Sequence, residues 1–361
     1  MSRTKFLLLG GFLGAGKTTL LMNLAQSLRA QGLRVAAITN DQGQNLIDTR
    51  RVAAEGIVTE EVLNGCFCCR FDQLVSVLHR IIDTANPPDY VIAEAVGSCT
   101  DLTATVIKPM QMQGHVDVLP LTVVVDPARI TKVFDGTLRQ TFTEDLRYLY
   151  NLQLSEASVI VLSKADIVPP SVMRTAYEAV AERFPGRPLA QVSLNDAEAI
   201  AHVLDVVSTA SIGPSLDIDY DRYAAAEAAM GWFDSMVSIS PGDAFDAERF
   251  LHMWLNFVRE QTQQRNSEIG HVKVTLKVGD QKAFANLVAT NQPIRLQLEG
   301  SLEAPYVEGL VNARVALDPN ELQEIMVDGA ERAARAQHLH LAWKNQQAFA
   351  PARPAPTYRI G

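Results

Sequence analysis

Three of the chain's four cysteines, Cys66, Cys68 and Cys69, lie within four consecutive positions in the stretch NGCFCCR. Thiolate sulfur is a good ligand for Zn²⁺, Cu⁺ and other soft or borderline metal ions. A structural zinc site takes four protein ligands, so three thiolates leave one coordination position open. The spacing therefore predicts a metal site that can exchange its ion.

Redox chemistry and plain packing are the alternative interpretations of these cysteines. A disulfide between Cys68 and Cys69 would be strained, and one between Cys66 and Cys68 hardly less so. The C-x-x-C spacing of thioredoxin-like sites is absent. The fourth cysteine, Cys99, follows in VGSCTD. It supplies a fourth thiolate if its loop meets the CFCC turn, and is otherwise a small buried apolar residue.

The segment GFLGAGKT, residues 11–18, fits the pattern G-x-x-x-x-G-K-[ST] at every position and lies between a strand-like run and a helix-like run. Glycines let backbone N–H groups approach phosphate oxygens, and the helix N-terminus adds positive potential. We expect Lys17 to reach the β- and γ-phosphates and Thr18 to ligate Mg²⁺. The predicted nucleotide-binding residues of this segment are Gly11, Gly14, Ala15, Gly16, Lys17, Thr18 and Thr19, and Lys17 is also predicted to be catalytic.

An acid at the end of a nearby strand completes such a site, and YVIAEAVG supplies Glu94 with Gly97 three residues later. A carboxylate in this position can hold the magnesium shell while the glycine amide senses the γ-phosphate. An unpaired carboxylate buried for packing alone would be costly. Glu94 is therefore predicted as a magnesium and catalytic residue, and Gly97 as a nucleotide-binding residue.

The base is predicted to be guanine. Ser163-Lys164-Ala165-Asp166 follows the apolar run ASVIVL and is similar to the guanine-reading N-K-x-D of GTPases. Asp166 can accept hydrogen bonds from N1–H and the amino group of guanine, which adenine does not offer in that arrangement. The stem of Lys164 can pack over the base, and Ser193 is a candidate cap of the base site. Ser163 replaces the asparagine that usually tethers this loop to the phosphate loop, which puts nucleotide affinity in doubt.

Composition excludes several classes of protein. With 47% apolar and 20% charged residues the 361-residue chain is globular rather than disordered. A net charge of −9 argues against a nucleic-acid partner, because phosphate backbones attract basic surfaces. Apolar runs are too short to span a membrane. We expect a cytoplasmic protein, in whose reducing surroundings clustered cysteines are ligands or catalysts more often than disulfides.

The elements that must position these residues alternate between strand and helix up to about residue 205. Continuous apolar strands followed by helices predict an α/β fold, a doubly wound and mainly parallel sheet. Later segments in the order β-α-β-β-β-α predict a small α+β domain of split βαβ type. The expected boundaries are a nucleotide-binding domain at 1–208, a linker at 209–231, the α+β domain at 232–340 and an extended proline-rich tail at 341–361.

GFLGAGKTT, ITNDQG, NGCFCC, EAVG and SKAD occur in the order found in CobW-like P-loop GTPases, relatives of HypB and UreG, and the chain resembles this family over residues 4–200. The resemblance implies that the C-x-C-C motif binds a transition metal, Zn²⁺ or Co²⁺, whose loading and transfer GTP controls. It also places Asp41 in the first switch, as a magnesium or catalytic residue, and makes Asp48 a weaker candidate.

The expected function is a Mg²⁺-dependent metallochaperone with slow GTP hydrolysis, cycling between GTP and GDP. It would deliver metal to a client metalloenzyme or corrinoid protein, and it would act alone or as a homodimer. The alternative is a nucleotide-switched assembly or reactivation protein that docks on such an enzyme without delivering metal.

Overall fold

The computed structural model describes residues 3–40, 47–63, 65–137, 143–193, 196–241, 245–300, 302 and 306–361. Contacts divide the chain into two compact units. The first unit comprises residues 1–139, 144–223 and 354–361, and the second comprises residues 140–143 and 224–353. No helix among the described residues has the length and apolar character needed to cross a membrane.

Parallel strands form the central sheet of the first unit, and most of them are buried on both faces, as in sheets covered by helices. In order of pairing they are β3 (Val58–Val62), β2 (Val35–Asn40), β4 (Tyr90–Glu94), β1 (Lys5–Gly10), β6 (Thr122–Val125), β7 (Val159–Leu162) and β8 (Leu189–Gln191), with β5 (Asp117–Val118) paired to the start of β1.

Helices connect these strands, and the predicted α/β class is confirmed. They are α1 (Lys17–Ala30), α2 (Ile47–Ala54), α3 (Phe71–Ile82), α4 (Lys108–Gln113), α5 (Pro127–Phe134), α6 (Glu144–Glu156), α7 (Pro170–Arg183) and α8 (Ala197–Thr209), and a π-helical segment (Thr103–Ile107) precedes α4. The apolar patterns do not predict β3 or α6, because polar residues interrupt VTEEV and EDLRYLYNLQLSE.

Helix α9 (Tyr220–Ala228) leads into the second unit, whose antiparallel sheet has the strand order β12-β11-β10-β13-β9-β14. Its helices α10 and α11 pack together, and Trp254 of α10 donates from Nε1 to the Met326 carbonyl of α11 at 2.8 Å. The elements of this unit are β9 (Gly231–Pro241), α10 (Ala247–Gln264), β10 (Ile269–Val278), β11 (Gln281–Leu287), β12 (Arg295–Glu299), β13 (Val307–Val315), α11 (Pro319–Arg335) and β14 (Leu339–Phe349).

The sequence assigns residues 341–361 to an extended tail, but the structure puts the first part of that segment in a strand. Strand β14 runs through Leu339–Phe349 and pairs with β9. A run of four polar residues, 344–347, breaks the alternation expected of this edge strand, so only its pairing with a partner distant in sequence reveals it as a strand. The extended segment therefore begins after Phe349.

Candidate functional site

The phosphate loop joins β1 to α1 and has the backbone of an anion-binding turn. Gly11, Gly14 and Gly16 have φ angles of 123°, 71° and 101°, which favour glycine. A Cβ atom on Gly11 would lie 2.2 Å from the Val124 carbonyl oxygen, so no side chain fits there. Lys17 donates from Nζ to the Gly11 carbonyl at 2.7 Å, which holds its ammonium group over the loop.

Strand β4 lies beside β1, and its last residue reaches the start of α1. The Thr18 hydroxyl donates to Glu94 Oε1 at 3.0 Å, and both side chains are buried. A hydroxyl and a carboxylate are hard oxygen ligands of the kind that Mg²⁺ prefers, so these residues fit a magnesium ion. A Cβ on Gly97 would lie 2.9 Å from the Leu13 backbone nitrogen. Glycine thus lets the loop after β4 lie against the phosphate loop.

The base loop follows β7 and is tied to the phosphate loop by the serine that replaces the usual asparagine. Ser163 Oγ donates its proton to the Ala15 carbonyl oxygen at 2.6 Å and also lies 3.0 Å from the Val125 carbonyl oxygen. The sequence raises doubt about this tether, and the structure shows that the shorter side chain makes it. The two loops approach closely enough for a hydroxyl to span the gap.

A buried ion pair supports the same loop. Lys164 donates from Nζ to the Gly14 carbonyl at 2.8 Å and pairs with Asp126 Oδ2 at 2.6 Å. Burial acts to raise the pKa of Asp126, but the charges of Lys164 and Arg129 outweigh it and hold that pKa below its ordinary value. Asp166 is exposed at the end of the loop, where a base can reach its carboxylate.

Ser193, the predicted cap of the base site, lies just after β8. The backbone joins the two segments, because Ala165 N–H donates to the Val192 carbonyl at 3.1 Å. Ser193 therefore lies one residue beyond a direct contact with the base loop, in a half-buried position.

The thiols of Cys66, Cys68 and Cys69 form a compact cluster at the start of α3. Their sulfur atoms are separated by 2.9 Å (Cys66–Cys68), 3.3 Å (Cys66–Cys69) and 3.7 Å (Cys68–Cys69). Zinc–sulfur bonds of about 2.3 Å in a tetrahedron put sulfurs about 3.8 Å apart, so small movements suffice to surround an ion. The turn forms because the Cys66 carbonyl accepts from the N–H groups of Cys69 and Arg70.

The three thiols of the cluster differ in pKa. Hydrogen bonding with Cys68, Cys69 and Cys99 lowers the pKa of Cys66 well below its ordinary value despite its burial. The same bond to Cys66 raises the pKa of Cys68, and that of Cys69 rises to about 11. Cys66 is therefore the cysteine of the cluster that loses its proton most readily to a metal ion.

Cys99 lies beside the cluster but outside its compact trio. Its thiol contributes to the pKa shifts of both Cys66 and Cys68, so the two loops do meet. Gln153 of α6 fixes the Cys99 loop, donating from Nε2 to the carbonyls of Gly97 and Cys99 at 2.9 Å each.

Asn40, at the end of β2, ties the cysteine turn to the segment that carries Asp41. Its Nδ2 donates to the Gly65 carbonyl at 2.8 Å, and its Oδ1 accepts from Phe67 N–H at 2.9 Å. Asp41 lies outside the described residues. Asp48 falls on helix α2, and its side chain also lies outside the described part of the chain.

Asn40, Asp126 and Gln153 are site residues that sequence reasoning missed. Asn40 and Asp126 each stand at the carboxyl end of a buried strand, where polar side chains of α/β proteins face ligands. That position could have identified both residues from the sequence. Gln153 is harder to identify, since its burial is evident only once α6 is known.

Residues 5–190, more than half of the chain, match the family model of the CobW/HypB/UreG nucleotide-binding domain. A zinc chaperone CobW from a Sinorhizobium species is 27% identical over 271 residues, covering 67% of this chain and 74% of that protein. The zinc-regulated GTPase metalloprotein activator 1 of Dictyostelium discoideum is 31% identical over 198 residues, or 46% of this chain and 41% of that one. The structure of HypB from Helicobacter pylori in complex with nickel is 18% identical, with a TM-score of 0.42 and coverage of 60% and 92%.

Proposed function

Because the chain belongs to the CobW/HypB/UreG family of nucleotide-binding proteins, we propose that it is a GTP-hydrolysing zinc chaperone. In this proposal Zn²⁺ is the cargo of Cys66, Cys68 and Cys69, and the nucleotide state decides whether the cargo is held or passed on. The recipient is a client metalloenzyme or corrinoid protein. Two relatives carry zinc in their names, which supports zinc over cobalt as the cargo.

Nucleotide binding uses the residues around the phosphate loop. Lys17 neutralises charge on the β- and γ-phosphates, and the loop amides hold the remaining phosphate oxygens. Thr18, Glu94 and, by the family resemblance, Asp41 would hold Mg²⁺, which would supply neutralisation of the charge on the phosphates. Arg129 donates to the Leu13 carbonyl at 2.8 Å and so supports the phosphate loop itself. Because the sequence identifies no arginine finger, intrinsic hydrolysis is proposed to be slow and to be accelerated by the client or by dimerisation.

Guanine selection rests on Asp166. Its exposed carboxylate accepts from the two donors on the guanine edge, and Lys164, fixed by Gly14 and Asp126, offers its stem to the ring. An adenine would leave the carboxylate without those donors. Asp166→Asn should therefore weaken GTP binding by about 10- to 100-fold, a loss of the size expected for hydrogen bonds to a charged group.

One observation carries the link between nucleotide and metal: the cysteine turn is bonded to the segments on either side of the nucleotide site. Asn40 joins it to the start of the first switch, and Cys99 approaches it from the loop of Gly97. Bound GTP would act on both segments, because each of them borders the position of the γ-phosphate. Ordering them brings the thiols together and raises zinc affinity, and hydrolysis reverses the change.

The test is zinc titration of the GTP-bound protein purified without oxygen, in wild type and in a variant with Cys66, Cys68 and Cys69 changed to serine. We expect one zinc ion per wild-type chain and binding weaker by roughly 100-fold or more in the variant, because it has lost all three thiolates of the cluster. Cys99→Ser, as the matched single change, should weaken binding less. Equal zinc affinity in wild type and the triple variant would instead support an assembly protein that docks on its client without delivering metal.

A further inference from the structure

The last eight residues of the chain, Pro354–Gly361, cross the cysteine turn of the first unit. Ala355 N–H donates to Cys69 Sγ at 3.3 Å. Thr357 donates from its N–H to the Cys68 carbonyl at 2.9 Å and from its hydroxyl to the Cys69 carbonyl at 3.3 Å. Two of these three contacts fall on Cys69, the least buried cysteine of the cluster.

Further contacts anchor this segment beyond the cysteines. The Tyr358 ring packs edge-on against Phe71, the first residue of α3, with centroids 5.4 Å apart. Arg359 donates from Nε to Asp101 Oδ2 at 2.8 Å. Asp101 is 1% exposed, so its charge needs a partner, and Tyr220 also donates to the same oxygen at 2.6 Å.

Ile360 and Gly361, the last residues of this segment, are also held by hydrogen bonds. Ile360 N–H donates to the Ala104 carbonyl at 2.9 Å, Ser215 donates to the Ile360 carbonyl at 2.8 Å and Lys108 donates to Gly361 at 2.9 Å. Chain ends usually fray unless specific contacts hold them. This one has contacts at nearly every residue from 355 to 361.

We propose that Pro354–Gly361, which we call the strap, closes over the cysteine cluster and retains its metal ion. An N–H donor to a coordinating sulfur stabilises the thiolate form, and a segment above the least buried sulfur hinders a competing ligand. Asp101, the strap's buried anchor, lies two residues after Cys99 on the loop that begins at Gly97. A movement of that loop therefore moves the anchor and loosens the strap.

This inference rests on the proposed zinc function, and a kinetic experiment tests the two separately. Protein loaded with one zinc ion per chain is mixed with excess chromophoric chelator, and zinc release is followed by stopped flow. Deletion of residues 354–361 should speed release at least about tenfold, the effect of losing one hydrogen bond to a charged sulfur. Arg359→Ala should speed it in the same direction.

Arg353→Ala is the matched control, since it removes the same charge from the residue just before the strap. It should release zinc at the wild-type rate, and a far-UV circular dichroism spectrum and melting temperature close to those of the wild type show that each variant is folded. Zinc bound by wild type but released equally fast by wild type, the deletion variant and Arg359→Ala overturns the strap alone. A wild-type protein that binds no zinc overturns the chaperone function and the strap with it.

Discussion

Ser163→Ala removes a single hydroxyl that joins the base loop to the phosphate loop. In the wild type this hydroxyl lies 2.6 Å from the Ala15 carbonyl and 3.0 Å from the Val125 carbonyl. Ser163 is buried, so water does not readily replace the lost donor. The Ala15 carbonyl precedes Gly16 and Lys17, so the loss acts directly on the loop that holds the phosphates.

The size of the effect follows from the cost of the lost hydrogen bonds. A neutral hydrogen bond contributes about 0.5–1.5 kcal/mol net, and leaving a buried acceptor without its donor costs about 1–3 kcal/mol. If about 1–2 kcal/mol of this appears in nucleotide binding, the dissociation constant of GTP rises roughly 5- to 30-fold, since 1.4 kcal/mol is a factor of ten.

Isothermal titration calorimetry with a non-hydrolysable GTP analogue and with GDP measures the change. Ser163→Thr keeps the hydroxyl and serves as the control, with affinity close to that of wild type. A Ser163→Ala variant with a lower melting temperature but unchanged affinity for both nucleotides would show that the tether stabilises the fold only. That result would refute the reasoning that joins the base loop to nucleotide binding.

Three other predictions concern protons and close packing. Burial raises the pKa of Glu156 from 4.5 to about 8, so the folded protein favours the protonated side chain. The stabilisation from this protonated form is complete below pH 4.5 and is lost as the pH rises through 8. The free energy of unfolding should fall by about 5 kcal/mol over that range. Glu156→Gln, which does not ionise, should flatten that pH dependence in thermal melts between pH 5 and 9. Gly97→Ala should weaken GTP-analogue binding at least tenfold, since its Cβ would overlap the phosphate loop. Zinc binding at pH 7.5 should release protons, because the pKa values of Cys68 and Cys69 are raised and a metal ion must displace their protons. Calorimetry in buffers of different ionisation enthalpy counts the released protons, and no release would contradict thiolate ligation.

The parts of the site that are contiguous in sequence could be predicted, since their geometry is local. The phosphate loop needs only its glycines, Lys17 and the following helix, and the cysteine cluster needs only one turn of chain. The pairing of Thr18 with Glu94 could also be predicted from the sequence, because an acid at the end of a buried strand faces the ligand edge of a parallel sheet.

The contacts between distant segments could not be predicted in the same way. Asn40 bonds the cysteine turn across 25 and 27 positions of sequence, and Ala355 meets Cys69 across 286. The spacing of apolar and polar residues along the sequence carries no information about contacts between such distant segments. The proline-rich end of the chain predicts an extended conformation, but its partner becomes visible only in the folded molecule.

The central claim is that the nucleotide sets the strength of the metal site. Competition titration of Zn²⁺ with a chelator of known affinity, in the presence of a GTP analogue or of GDP, tests it most directly. We predict that zinc binds at least tenfold more tightly with the GTP analogue and, by linkage, that zinc raises affinity for the analogue by the same factor. Asn40→Ala should reduce that ratio. Equal zinc affinity in the two nucleotide states would contradict the claim.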